Sequence, residues 1–189
     1  MSGKRLGATP LLIAVAFTLF SVVVAGCGKS SASSSTSTST NAAQTTPVTL
    51  TYAQAVAAGD AICTTAANHL ASQIALLESI QKSKVSSAEI NLKSGPIVER
   101  IGGETRGTAR LIYELKVPAS DVNKLRSLGG TLLELAVIEE QLSQALRSNE
   151  PSRIKLVTPE ITHIRAHARS QAKTFGFHVC GATTRTPVA

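Results

Sequence analysis

Residues 120–147, SDVNKLRSLGGTLLELAVIEEQLSQALR, set Val122, Leu125, Leu128, Leu132, Leu135, Leu142 and Leu146 at helical intervals. That spacing gathers the large apolar side chains on one stripe of an α-helix, whereas a half-buried strand would alternate. Glu139 interrupts the repeat. Together with Glu134 and Glu140 it reads as a surface charge flanking the stripe. Ser120 or Asp121 is expected to cap the start of this helix.

Working outward, three more helices are expected. Thr51-Tyr52-Ala53-Gln54 reads as a capping box, and Val56, Cys63, Ala67, Leu70, Ile74 and Leu77 follow on one face. This first helix should end near Lys82–Lys84, where basic groups suit the carbonyl end of the helix dipole. Ser86-Ser87-Ala88-Glu89 is a second capping box, but Ser94-Gly95-Pro96 interrupts, so the main second helix is expected to start at Pro96 and stop at Val117-Pro118. The fourth starts near Pro151 or, more firmly, with Thr158 as cap and Pro159 at its first position. Val157, Ile161, Ile164, Ala168 and Phe175 mark its inner face, and Gly176 falls where a left-handed C-terminal cap belongs.

Four helices with short connections favour an all-α, up-down-up-down four-helix bundle over residues 51–181, with kinked or split second and fourth helices. Gly102, Gly103 and Gly107 weaken the second helix, and with Gly129 and Gly130 they could leave room between backbones.

The N-terminus carries a different signal. Lys4 and Arg5 precede an apolar run from Leu11 to Ala25, which at about 15 residues is short for a membrane span. The run ends in Val24-Ala25-Gly26-Cys27. This resembles the lipobox of bacterial lipoproteins, which implies a signal peptide over 1–26, cleavage before Cys27 and attachment of lipid (diacylglycerol, with acyl chains such as palmitate) to its thiol. The resemblance places the protein at the outer face of the cytoplasmic membrane. Residues 27–50 are rich in Ser, Thr and Ala and poor in large apolar side chains, as expected of a disordered tether, and 182–189 are expected to be a flexible tail.

With Cys27 consumed by lipid, Cys63 and Cys180 remain as an even pair in an oxidising compartment, expected to form a disulfide. An even number of helices also returns the end of the last to the start of the first. The alternative is two unlinked buried cysteines. The Ile-Cys of the first helix and the terminal Phe-Gly-Phe-His-Val-Cys-Gly make residues 52–181 similar to helical-bundle lipoproteins and secreted proteins of actinobacterial type. Those shared motifs are structural and imply no reaction.

Glu160-Ile161-Thr162-His163 has the Glu-x-x-His spacing of dimetal bundles, and His167 lies one turn on. No second Glu-x-x-His exists to complete such a site, so Glu160, His163 and His167 read as a solvated polar face and no cofactor is expected. His69 and His178 read as surface or boundary histidines. Removing Lys4 and Arg5 leaves 17 basic against 12 acidic residues, a net +5, with Arg165, Arg169 and Lys173 as a candidate basic face. Nucleic acid is a poor partner for an exported chain with no tryptophan and few aromatics. Nucleophile–base and phosphate-loop motifs are missing, so the expectation is no enzyme.

The sequence therefore points to a lipid-anchored envelope protein of interaction or structural type, its partners the membrane through Cys27 and an envelope protein or anionic polymer. The alternatives are a binding protein holding a small ligand or metal between helices, and a basic-face binder of anionic lipid or wall polymer. Mass spectrometry of protein purified from membranes should find a chain beginning at a lipid-modified Cys27. An unmodified Cys27 within an uncleaved chain would overturn the anchor.

Overall fold

The computed structural model describes residues 49–181. They form four helices, α1 (Tyr52–Gln81), α2 (Ser87–Glu114), α3 (Ala119–Arg147) and α4 (Pro151–Phe175), joined by connections of five, four and three residues. No strand occurs among the described residues, and none of their helices is long and apolar enough to cross a membrane. The expected signal peptide, Cys27, nearly all of the tether and the tail lie outside the described residues. Leu50, assigned to the tether, belongs to the fold: its N–H donates to the Lys116 carbonyl at 2.7 Å and its side chain packs on the core.

Local chemistry explains the helix ends. Gln54 N–H reaches the Thr51 hydroxyl at 3.3 Å, and Thr51 N–H donates back to Gln54 Oε1 at 2.9 Å, completing the capping box that opens α1. Ser86 caps α2 by accepting from Glu89 N–H at 3.3 Å, while the Glu89 carboxylate pairs with Lys93 at 2.7 Å. Neither Ser120 nor Asp121 caps α3. The helix starts at Ala119, with Pro118 at the cap position and no side-chain cap bond, and Asp121 pairs instead with Lys124 at 3.0 Å. Gly176, at φ 104°, ends α4 as expected, and Phe177 N–H returns to the Ala172 carbonyl at 2.9 Å.

Pro96 and Pro159 do not start helices, whereas Pro151 does. α2 begins at Ser87, not Pro96, and α4 begins at Pro151, not at a Thr158 cap, so neither is split. A proline inside a helix leaves the carbonyl four residues earlier without its partner. Here those positions are Leu92 and Lys155, and like Pro96 and Pro159 themselves they are exposed, where water can satisfy a carbonyl. Thr158, expected as a cap, donates its hydroxyl back to the Ile154 carbonyl at 2.7 Å.

Successive helices pack antiparallel, as the ladder of contacts between α2 and α3 makes plain: Glu99 pairs with Arg147, Thr105 bonds Glu139, and Tyr113 lies over Gly129. Gly102 sits where a Cβ would come within 3.3 Å of the Ala136 carbonyl oxygen, and at Gly129 it would come within 2.6 Å of the Tyr113 ring. These glycines let backbone and ring approach; they do not open space for a ligand. Gly103 and Gly107 face no neighbour at all.

Two apolar clusters form the core. One, around Leu77, Ile97, Ile101, Leu142, Ile154 and Val157, joins the C-terminal end of α1 to the other three helices. The second, around Ala55, Ile112, Leu125, Leu128, Phe175 and Phe177, closes the opposite end. α3 buries thirteen of its residues and α1 only four, Ala55, Gly59, Ala67 and Leu77, so α1 lies on the surface of a tighter three-helix unit.

What holds the first half of α1 is the segment after α4. Phe177 is buried over Gly59, where any Cβ would overlap its ring. The Asp60 carboxylate accepts from the Val179 N–H at 2.8 Å and the His178 N–H at 3.2 Å. Tyr52 donates its hydroxyl to the Phe175 carbonyl. Cys63 and Cys180 are joined in a disulfide with Cα atoms 5.4 Å apart, across a sequence separation of 117 residues. On the chain-entropy account a bridge over such a loop stabilises by roughly 4–5 kcal/mol, and native bridges commonly deliver 2–5. Replacing both cysteines by serine should lower unfolding free energy by about 2–5 kcal/mol in urea titrations while leaving the helical circular dichroism of the native state unchanged.

Candidate functional site

Between the two apolar clusters the helices do not close on one another. A cavity of about 220 Å³, partly open to solvent, lies between α1 and the other three helices. α1 contributes Ala66, Ala67, Leu70 and Ile74; α3 contributes Leu128, Leu132 and Leu135. The small side chains of Ala66 and Ala67 on α1, and Ala168 and Ala172 on α4, are too short to meet across the gap. Cys63 and Cys180 also line it, so the bridge that holds α1 to the end of the chain is part of the cavity wall.

The polar groups in this apolar wall are few and concentrated. Glu139, expected on the surface, is 1% exposed. Its Oε1 accepts from Arg165 Nη2 at 2.7 Å, and its Oε2 accepts from the Thr105 hydroxyl at 2.8 Å. The same hydroxyl lies 3.0 Å from the Ile101 carbonyl, an alternative acceptor within α2. Both carboxylate oxygens thus have partners, as a buried anion requires. The interruption of the leucine repeat at position 139 was the available signal: a carboxylate occupies a core register there, one turn from Leu135 and from Leu142.

The expected basic face is divided by the same contact. Arg165 turns inward to Glu139, with its side chain 27% exposed. Arg169, one turn further along α4, is half-buried and lines the cavity beside it. Lys173 is exposed. The three do not form one cationic surface, because the apolar stripe of α4 directs the first two toward the interior.

Glu160, His163 and His167 are all exposed on the outer side of α4, and no group of three metal-ligating side chains is gathered among the described residues. His69 lies 3.3 Å from Glu104 on α2, and His178 lies 3.1 Å from Asp60. Each is a surface contact holding α1 to its neighbours. Glu140, the other carboxylate beside Glu139, pairs with Arg106 at 2.8 Å on the exposed side of the α2–α3 seam.

No family model, curated protein or solved structure matches this chain.

Removing one partner of a buried ion pair strands the other charge, which typically costs about 3–5 kcal/mol, whereas replacing both with apolar groups is often neutral or favourable. Arg165→Met should therefore destabilise by about 3–5 kcal/mol, and Glu139→Leu combined with Arg165→Met should recover most of that loss. Chemical denaturation of the two variants beside the parent measures it.

Proposed function

We propose that this protein is a non-enzymatic, lipid-anchored binding protein that holds a small, mainly apolar ligand between α1 and the other three helices. The observation that carries the reading is the cavity, about 220 Å³ in volume and walled mostly by alanine, leucine and isoleucine. Apolar surface gathered in a cavity accepts apolar guests: an engineered, closed cavity of roughly 150 Å³ takes up benzene. By the same scale this one suits a ligand of about nine non-hydrogen atoms.

The anchor belongs to the same proposal. Val24-Ala25-Gly26-Cys27 supports export and lipid attachment, and the Ser/Thr-rich stretch after it supports a flexible tether. About 20 such residues span roughly 25 Å, enough for the bundle to turn its open side toward the membrane or away from it. The interaction role suggested by the sequence is thereby narrowed from an unspecified envelope partner to a small molecule. A binder of anionic polymer through Arg165, Arg169 and Lys173 loses support, because Arg165 is committed to Glu139.

The position of α1 favours entry and release. With four buried residues it is the least embedded helix, and elements with few buried contacts open at the smallest free-energy cost. Its separation from the three-helix unit would admit a ligand without disturbing the α2–α3 seam.

A neutral probe tests the cavity alone. Isothermal titration of 1-octanol into the full chain in phosphatidylcholine nanodiscs, with empty nanodiscs as blank, should detect saturable one-to-one binding. Ala67→Phe, which places a ring where a ligand would lie, should abolish that binding and keep or raise the melting temperature. No binding above the blank, together with destabilisation by Ala67→Phe, would show that the void is not a binding site.

A further inference from the structure

We infer that the ligand is a short amphiphile with an anionic head, the head held by Arg169 beside Arg165 and the apolar body lying along Leu70, Ile74 and Leu132. This rests on the cavity being a binding site and goes on to name the ligand's chemistry.

The argument is one of charge balance. The charged side chains on the cavity wall are Arg165 and Arg169 on α4 and Glu139 on α3; α1 presents apolar groups, and α2 adds the hydroxyls of Thr105 and Thr108. Glu139 is matched by Arg165 at 2.7 Å. Its second oxygen is taken by Thr105, so Glu139 is not offered to Arg169. The Arg169 side chain makes no hydrogen bond or ion pair among the described residues. The wall therefore carries one uncompensated positive charge, on a guanidinium partly withdrawn from water against an apolar surface.

Partial burial of a charge is unfavourable unless an opposite charge meets it. A guanidinium also offers parallel N–H donors whose spacing matches a carboxylate or a phosphate, giving charge-assisted, two-point bonds. Arg165 and Arg169 are four residues apart on α4, so they project from one face, but Arg165 is offset by Glu139 and the anion is received by Arg169 alone. A cationic ligand would meet repulsion there, and a neutral one would leave Arg169 uncompensated. The size of the cavity limits the apolar part to a single short chain, about eight carbons beside the head.

Four probes of equal chain length separate the possibilities: octanoate, octyl phosphate, 1-octanol and octylammonium, titrated into the full chain in phosphatidylcholine nanodiscs at neutral pH. Octanoate or octyl phosphate should bind about tenfold more tightly than 1-octanol, as one charge-assisted hydrogen bond allows, and octylammonium should bind most weakly. The tighter of the two anions identifies the head as carboxylate or phosphate. Arg169→Gln should lower the affinity for octanoate and octyl phosphate about tenfold, so that neither anion is preferred over 1-octanol by the same variant; Arg169→Lys should restore part of that preference. Equal affinity for octanoate, octyl phosphate and 1-octanol, or a preference for octylammonium, overturns the anionic head while the cavity stands as a site. Binding of none of the four overturns both.

Discussion

The Glu139 carboxylate is the constraint around which this bundle is arranged. An ionised carboxylate cannot remain in an apolar interior without partners, because the loss of hydration outweighs any general attraction. Here α2 supplies Thr105 and α4 supplies Arg165, each to a different oxygen. Three helices must therefore be in one register at one height for the carboxylate to be satisfied. Apolar packing alone tolerates sliding by a turn; a buried ion pair with a second hydrogen bond from a third helix does not. The close seams at Gly102 and Gly129, which admit the Ala136 backbone and the Tyr113 ring, fix the same alignment between α2 and α3 from either side.

The polar centre also divides the core. Leucines and isoleucines pack below it and the Phe175–Phe177 pair, with ring centroids 4.6 Å apart, packs above it. Between them α1 presents alanines, and of the longer side chains on α4 Arg165 is directed at a carboxylate and Arg169 lines the gap. A void follows from that choice of residues. The molecule tolerates it because α1 is secured at both ends: Leu77 enters the lower cluster, while the disulfide, Phe177 and Asp60 tie its upper half to the segment after α4. Strong attachment at the ends and weak packing in the middle would suit the proposed binding role. It combines a persistent fold with a wall that can yield.

Much of this was legible from the chain. The leucine repeat of 122–146 gave the helix that the others pack on, the capping box at Thr51 and the glycine at 176 placed the outer ends of the bundle, and Cys63 and Cys180 were paired once Cys27 was set aside. Prolines misled. Pro96 and Pro159 look like helix starts because their local chemistry forbids an interior hydrogen bond, and whether that loss matters depends on whether water reaches the freed carbonyl. That is a property of the assembled surface and not of the dipeptide.

Sequence by itself determined the four helices, their order and their shared inner stripes, because periodicity, caps and cysteine number act over a few residues or over the chain as a whole. Only the tertiary structure decided that Glu139 and Arg165 face each other inside the bundle while Arg169 is left facing a void. In sequence Arg165 and Arg169 flank the apolar stripe of α4 and can turn either way, while Glu139 interrupts the stripe of α3 with nothing in the chain to name its partner. Which way a side chain turns depends on what the neighbouring helix brings to the same height, and that is set by packing between segments 26 and 34 residues apart along the chain.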